Sequence, residues 1–67
     1  MKPKFIRVTH ARMQNPMFIR ADKIVEIRDY GNQTLVITEN GRGCYILEPE
    51  EMVLSKINEA FEEKDNE

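Results

Sequence analysis

Hydrophobic and polar positions alternate along most of the first 47 residues and then change period. Between Lys4 and His10, Ile6, Val8 and His10 fall on one side and Phe5, Arg7 and Thr9 on the other, which is the two-residue period of a strand. Met17 to Arg20 reads as a short second strand. Before it, Arg12 to Pro16 is a connector, because Gln14-Asn15-Pro16 holds turn formers and a residue before proline is biased away from helix. Ala21-Asp22-Lys23 reads as a tight turn. Ile24 to Tyr30 is rich in β-branched residues and predicts a third strand, closed by a turn at Gly31-Asn32.

Thr34 to Glu39 and Arg42 to Leu47 flank Asn40-Gly41, the sharpest local signal in the chain. Asn-Gly between two such runs predicts a two-residue type I′ hairpin, whose central residues both need positive φ. That loop sets Glu39 opposite Arg42, Ile37 opposite Cys44 and Leu35 opposite Ile46 on one face. On the other face it sets Val36 opposite Tyr45 and Thr34 opposite Leu47. Both faces are then largely apolar. After Glu48 the period becomes three to four: Val53, Leu54, Ile57, Ala60 and Phe61 form a stripe that packs on a sheet. Pro49, Glu50 and Glu51 suit a helix start. The expected fold is α+β: an antiparallel β-meander of four to five strands, as a bent sheet or small open barrel, with one C-terminal amphipathic helix. A single domain over 1–67 is expected, with strands within 4–47 and a helix at about 49–63.

Length sharpens this picture. With 67 residues the chain buries only about 60% of its unfolded surface. A core of that size needs a disulfide, a metal or a partner to gain much stability. Cys44 is the one cysteine and His10 the one histidine, so no intrachain disulfide forms and no metal ligand cluster is expected. Self-association is the remaining route, and homo-oligomerisation is expected. The candidate interface residues are Val36, Tyr45 and Leu47 on the second hairpin face, with Phe5 and Phe18. No apolar run reaches the ~18 residues of a membrane span, and no apolar stretch follows the basic N-terminus as in a secretory signal. With one unpaired cysteine, a cytoplasmic setting is expected.

Charge adds a second possibility. The net charge is −2, yet residues 1–28 hold seven Lys/Arg against Asp22 and Glu26, while residues 29–67 hold three against ten acids. Mutual neutralisation of the two halves, within or between chains, is the preferred reading. The alternative is a small nucleic-acid-binding regulator using Arg7, Arg12, Arg20, Lys23 and Arg28, with Phe5, Phe18 and Tyr30 as stacking aromatics. Catalysis is not expected. Cys44 shares a strand face with Ile46, Ser55 lies mid-helix, and His10 reads as a hydrogen-bonded histidine, so nucleophile, base and orienter do not assemble. Asn40-Gly41-Arg42-Gly43 is a hairpin rather than a phosphate loop, and Glu59, Glu62 and Glu63 read as a solvated helix face. No cofactor is expected.

The order of elements carries two resemblances. Phe18 to Ile27, Thr34 to Thr38, Glu39-Asn40-Gly41, Tyr45-Ile46-Leu47 and a helix opening at Pro49-Glu50-Glu51 resemble the small flagellar and swarming-motility proteins of bacteria (FlbD-type). The resemblance covers Lys4 to Phe61 and departs at Met13-Gln14-Asn15-Pro16 and at Gly43-Cys44. It implies a short chain of strands with a terminal helix and no catalytic residue. Asp22 to Ile27, Gly31-Asn32 and Asn40-Gly41, through to Leu54, also resemble the first half of the LytTR DNA-binding domain. The second, basic half of that domain has no counterpart here, and no DNA-contact residue carries over. The sequence therefore points first to a non-catalytic module that binds itself and an unidentified protein, and second to a nucleic-acid binder.

Overall fold

The protein is described from a computed structural model, over residues 4–62. In chain order the elements are β1 (Phe5–Thr9), β2 (Pro16–Arg20), a short 3₁₀ helix (Ala21–Lys23), β3 (Ile24–Asp29), β4 (Thr34–Thr38), β5 (Gly43–Ile46) and α1 (Glu50–Phe61). All five strands are antiparallel to their neighbours. β1 and β2 form one ribbon, and β3, β4 and β5 form a three-stranded sheet in that order. The architecture is thus the expected α+β meander with a C-terminal helix, and its sheets are not closed into a barrel.

A hydrogen-bonded seam joins the two sheets. His10 bridges Ile46, the Ala11 amide donates to the Tyr45 carbonyl at 2.9 Å, and the Leu47 amide donates to the Thr9 carbonyl at 3.0 Å. At the far end of the ribbon, the Ala21 amide donates to the Lys4 carbonyl at 2.8 Å. The tight turn expected at Ala21-Asp22-Lys23 is one turn of 3₁₀ helix, which carries the chain from ribbon to sheet.

The inner faces follow from alternation. Ile6 and Val8 pair with Ile19 and Met17 across the ribbon, and Val36 pairs with Cys44 in the sheet. A bulge at Val25 inserts one residue into β3, so Ile24 and Ile27 both turn inward although three apart, and Val25 is left outside. The core comprises Ile6, Val8, Ile19, Ala21, Val36, Ile46 and Val53. Complete burial of side chains such as Val8, Val36, Ile46 and Val53 contributes about 1.5–3 kcal/mol each before entropy is charged. The helix supplies Val53, with Ile57 and Ala60 half-buried beside the core. Leu54 and Phe61, at the margins of the expected stripe, remain about half exposed, as does Met52. The helix runs Glu50–Phe61 with Pro49 as its N-cap, and residue 63 of the expected span lies outside the described residues.

The β4–β5 connection departs from expectation. The Gly41 amide donates to the Thr38 carbonyl at 2.8 Å, and the Thr38 amide donates to the Arg42 carbonyl at 3.0 Å. The loop is therefore three residues, Glu39-Asn40-Gly41, with only Gly41 at positive φ (86°). This is a turn followed by a left-handed glycine, the usual three-residue alternative to type I′. Asn40 avoids the left-handed region because its side chain is used locally: Oδ1 accepts from the Thr38 hydroxyl at 2.6 Å and the Arg42 amide at 3.2 Å. The register slips by one, to Thr34↔Ile46, Leu35↔Tyr45, Val36↔Cys44 and Ile37↔Gly43. Val36, expected at an interface opposite Tyr45, is instead 1% exposed in the core.

Candidate functional site

Two outer faces are left by this packing, and they differ in chemistry. The outer face of the three-stranded sheet carries Leu35 and Ile37 on β4 and Tyr45 on β5, with Leu47 continuing the alternation. Tyr30 closes over its edge, its ring 6.0 Å from that of Tyr45 and tilted by 53°. Leu35 packs over Gly43, where an added Cβ would stand 3.2 Å from Leu35 Cδ1. The charges on this face, Glu26 and Arg28, are bonded to one another. Hydrogen bonds to the side chains of Tyr30 and Glu26 push the Arg28 pKa further above its ordinary value.

The ribbon's outer face is cationic and aromatic. Phe5 lies opposite Arg20, and Arg7 opposite Phe18, so aromatic and cationic side chains alternate in both directions. Phe5 is 50% and Phe18 63% exposed. The Arg20 guanidinium is oriented by Asp22, Nε to Oδ1 at 3.0 Å and Nη2 to Oδ2 at 2.6 Å. That bond holds the Asp22 carboxyl below the usual carboxylate range.

The expected site residues are therefore divided. Of the five candidate phosphate-binding cations, Arg7 and Arg20 share the ribbon face and Arg12 sits in its connector. Lys23, at the end of the 3₁₀ turn, pairs with Glu39 of the β4–β5 loop at 3.8 Å, and Arg28 belongs to the sheet face. Of the interface candidates, Phe5 and Phe18 are on the ribbon, Tyr45 and Leu47 on the sheet, and Val36 on neither. Leu35, Ile37 and Tyr30 belong with Tyr45 and Leu47. Their signal was present in the alternation of β4, but the slipped register concealed which strand residues accompany them.

A cleft of about 400 Å³ lined by His10, Arg12, Gln33, Gly43, Cys44 and Tyr45 lies at the seam between the sheets. His10 Nδ1 accepts the amides of Arg12 and Met13 at 3.2 and 3.1 Å, so this nitrogen is occupied in shaping the connector. Cys44 is free and half-buried, its Sγ 3.7 Å from Met17 Sδ, and burial pushes its thiol pKa up, the opposite of an activated nucleophile. Among the described residues, no group of three or more His, Cys, Asp or Glu could hold a metal ion, and no helix is long and apolar enough to cross a membrane. No protein-family model, curated protein or solved structure matches the chain.

Proposed function

We propose that this protein is a non-catalytic interaction module that functions as a homo-oligomer, two copies meeting through the outer face of the β3–β4–β5 sheet. The observation that carries this reading is the cluster of Leu35, Ile37, Tyr30, Tyr45 and Leu47 on that face, beside charges that already neutralise each other. A two-fold contact brings the same patch against itself. Because Glu26 and Arg28 form a pair within each copy, that contact meets no net like-charge penalty. The core, seven buried apolar side chains among the described residues, gains from additional burial, as expected for a domain this small. The free thiol of Cys44, away from any partner cysteine, suits a reducing cytoplasm. The reading also agrees with the FlbD-type resemblance, which implies no catalytic residue.

Light scattering coupled to size exclusion tests it with two variants. Wild type is expected to elute as a dimer at micromolar concentration, and Tyr45→Lys and Leu47→Lys as folded monomers. A monomeric wild type, or variants that remain dimeric, would count against it.

A further inference from the structure

We infer that the outer face of the β1–β2 ribbon is a binding site for single-stranded nucleic acid, a function beyond the self-association assigned to the opposite sheet. The ribbon and its connector, Lys4 to Arg20, contain four cations (Lys4, Arg7, Arg12 and Arg20) and no acid. Phe5 and Phe18 stand on the outer face at diagonal positions of the register, so their stems are about 7–8 Å apart. Both rings are at least half exposed. Each ring has one arginine across the ribbon and the other two residues along its own strand. Exposed phenyl faces offer stacking platforms that accept any base, and the interleaved guanidinium groups meet the phosphates between them. Arg7 stands across from Phe18 and two residues along β1 from Phe5. Arg20 is paired with Asp22 through Nε and one Nη2 hydrogen, which compensates its charge and leaves three further N–H groups on the guanidinium. Arg12 adds a further cation in the connector, where it lines the cleft at the seam.

Charge complementarity decides the occupant. A second copy using the same face would bring Arg7 against its own counterpart with no carboxylate between them, since Asp22 is already taken by Arg20, which is repulsive. The acidic helix face of another copy would answer the charge, but it offers carboxylates where the ribbon presents two flat apolar rings. A strand of stacked bases with a phosphate at each link answers both.

The test is fluorescence anisotropy with a labelled mixed-sequence oligonucleotide of about a dozen residues, as DNA and as RNA, single-stranded and as duplex, over a range of salt. Wild type is expected to prefer the single strands, with affinity falling as salt rises by a log–log slope near −0.7 per phosphate contacted. Phe5→Ala and Phe18→Ala, whose circular dichroism should match wild type because both rings are exposed, are expected to weaken binding about tenfold each. Arg7→Gln is expected to reduce the salt slope by about 0.7. Tyr45→Lys is expected to leave preference for single strands intact, which separates this site from the self-association face. Three results would overturn the inference: no binding at low salt, binding indifferent to both phenylalanine variants, or sedimentation showing that Arg7→Glu dissolves an oligomer while nucleic acid is ignored.

Discussion

The carboxylate of Glu48 grips Thr9 with both oxygens: the Thr9 amide donates to Oε1 at 2.8 Å and the Thr9 hydroxyl to Oε2 at 2.9 Å. The backbone of the same residue is held as well, since the buried Thr34 hydroxyl donates to the Glu48 carbonyl at 2.7 Å. Glu48 thereby ties the end of β1, the start of β4 and the entry to α1 at one point, 39 residues from Thr9 in sequence. Hydrogen bonds to a charged acceptor contribute about 1.5–3 kcal/mol. Glu48→Ala should therefore lower unfolding stability by about 2 kcal/mol, and Glu48→Gln by about half that, because its amide oxygen can still accept one bond. Urea denaturation measures both.

The β1–β2 connector stores a small strain. Gln14 sits at φ 56°, where a side chain costs about 1 kcal/mol, and its amide donates to the His10 carbonyl at 2.8 Å. Gln14→Gly removes the clash and keeps the amide. It should raise the midpoint of urea unfolding, with a gain of about 0.5–1 kcal/mol, whereas Gln14→Val should lower it.

The slipped hairpin register can be read by charge insertion. Val36 and Cys44 face the core together, and Tyr45 faces outward beside Leu35. Val36→Asp should cost several kcal/mol, because it buries an unpaired charge or forces it out of the core, and Cys44→Asp, at a half-buried site, about 1–2 kcal/mol. Tyr45→Asp should cost under about 1 kcal/mol in the monomer. A two-residue type I′ loop would put Val36 and Cys44 on opposite faces, and one of the pair would then tolerate the charge. Thermal melts of the three variants decide between the two.

Much of this fold was legible from local pattern. Strand alternation placed Ile6 and Val8 inside and Phe5 and Arg7 outside, and the change of period after Glu48 placed the helix. The hairpin departs from the expected type I′ loop because Asn-Gly serves two turn types. The choice between them is made by Asn40 Oδ1, which bonds the Thr38 hydroxyl and the Arg42 amide, and a dipeptide signal does not contain those partners. The one-residue slip takes Val36 from the expected interface into the core and brings Leu35 and Ile37 onto one face with Tyr45. Charge counting found the basic half but not its division, because the pairing of Arg28 with Glu26 and of Lys23 with Glu39 is a product of strand positions. The grip of Glu48 on Thr9 has no local signature at all.

Burial holds the Cys44 thiol pKa above its ordinary value. On raising the pH, the unfolded chain loses its thiol proton first, so folding stability from this group is intact below the ordinary thiol range and is lost as pH climbs through the raised folded value. A disulfide exchange reagent at mildly alkaline pH should label native Cys44 at least several-fold more slowly than the urea-unfolded chain. Equal rates would mean that Cys44 is open to solvent.

Self-association through the sheet face is the central claim, and sedimentation equilibrium of the wild-type chain against Tyr45→Lys tests it most directly. The account predicts a reversible monomer–dimer equilibrium for wild type, with a thermal midpoint that rises with protein concentration, and a concentration-independent monomer for the variant. A wild-type chain that sediments as a monomer up to about 100 μM, where even a weak equilibrium would be visible, and melts at the same temperature at every concentration would contradict it.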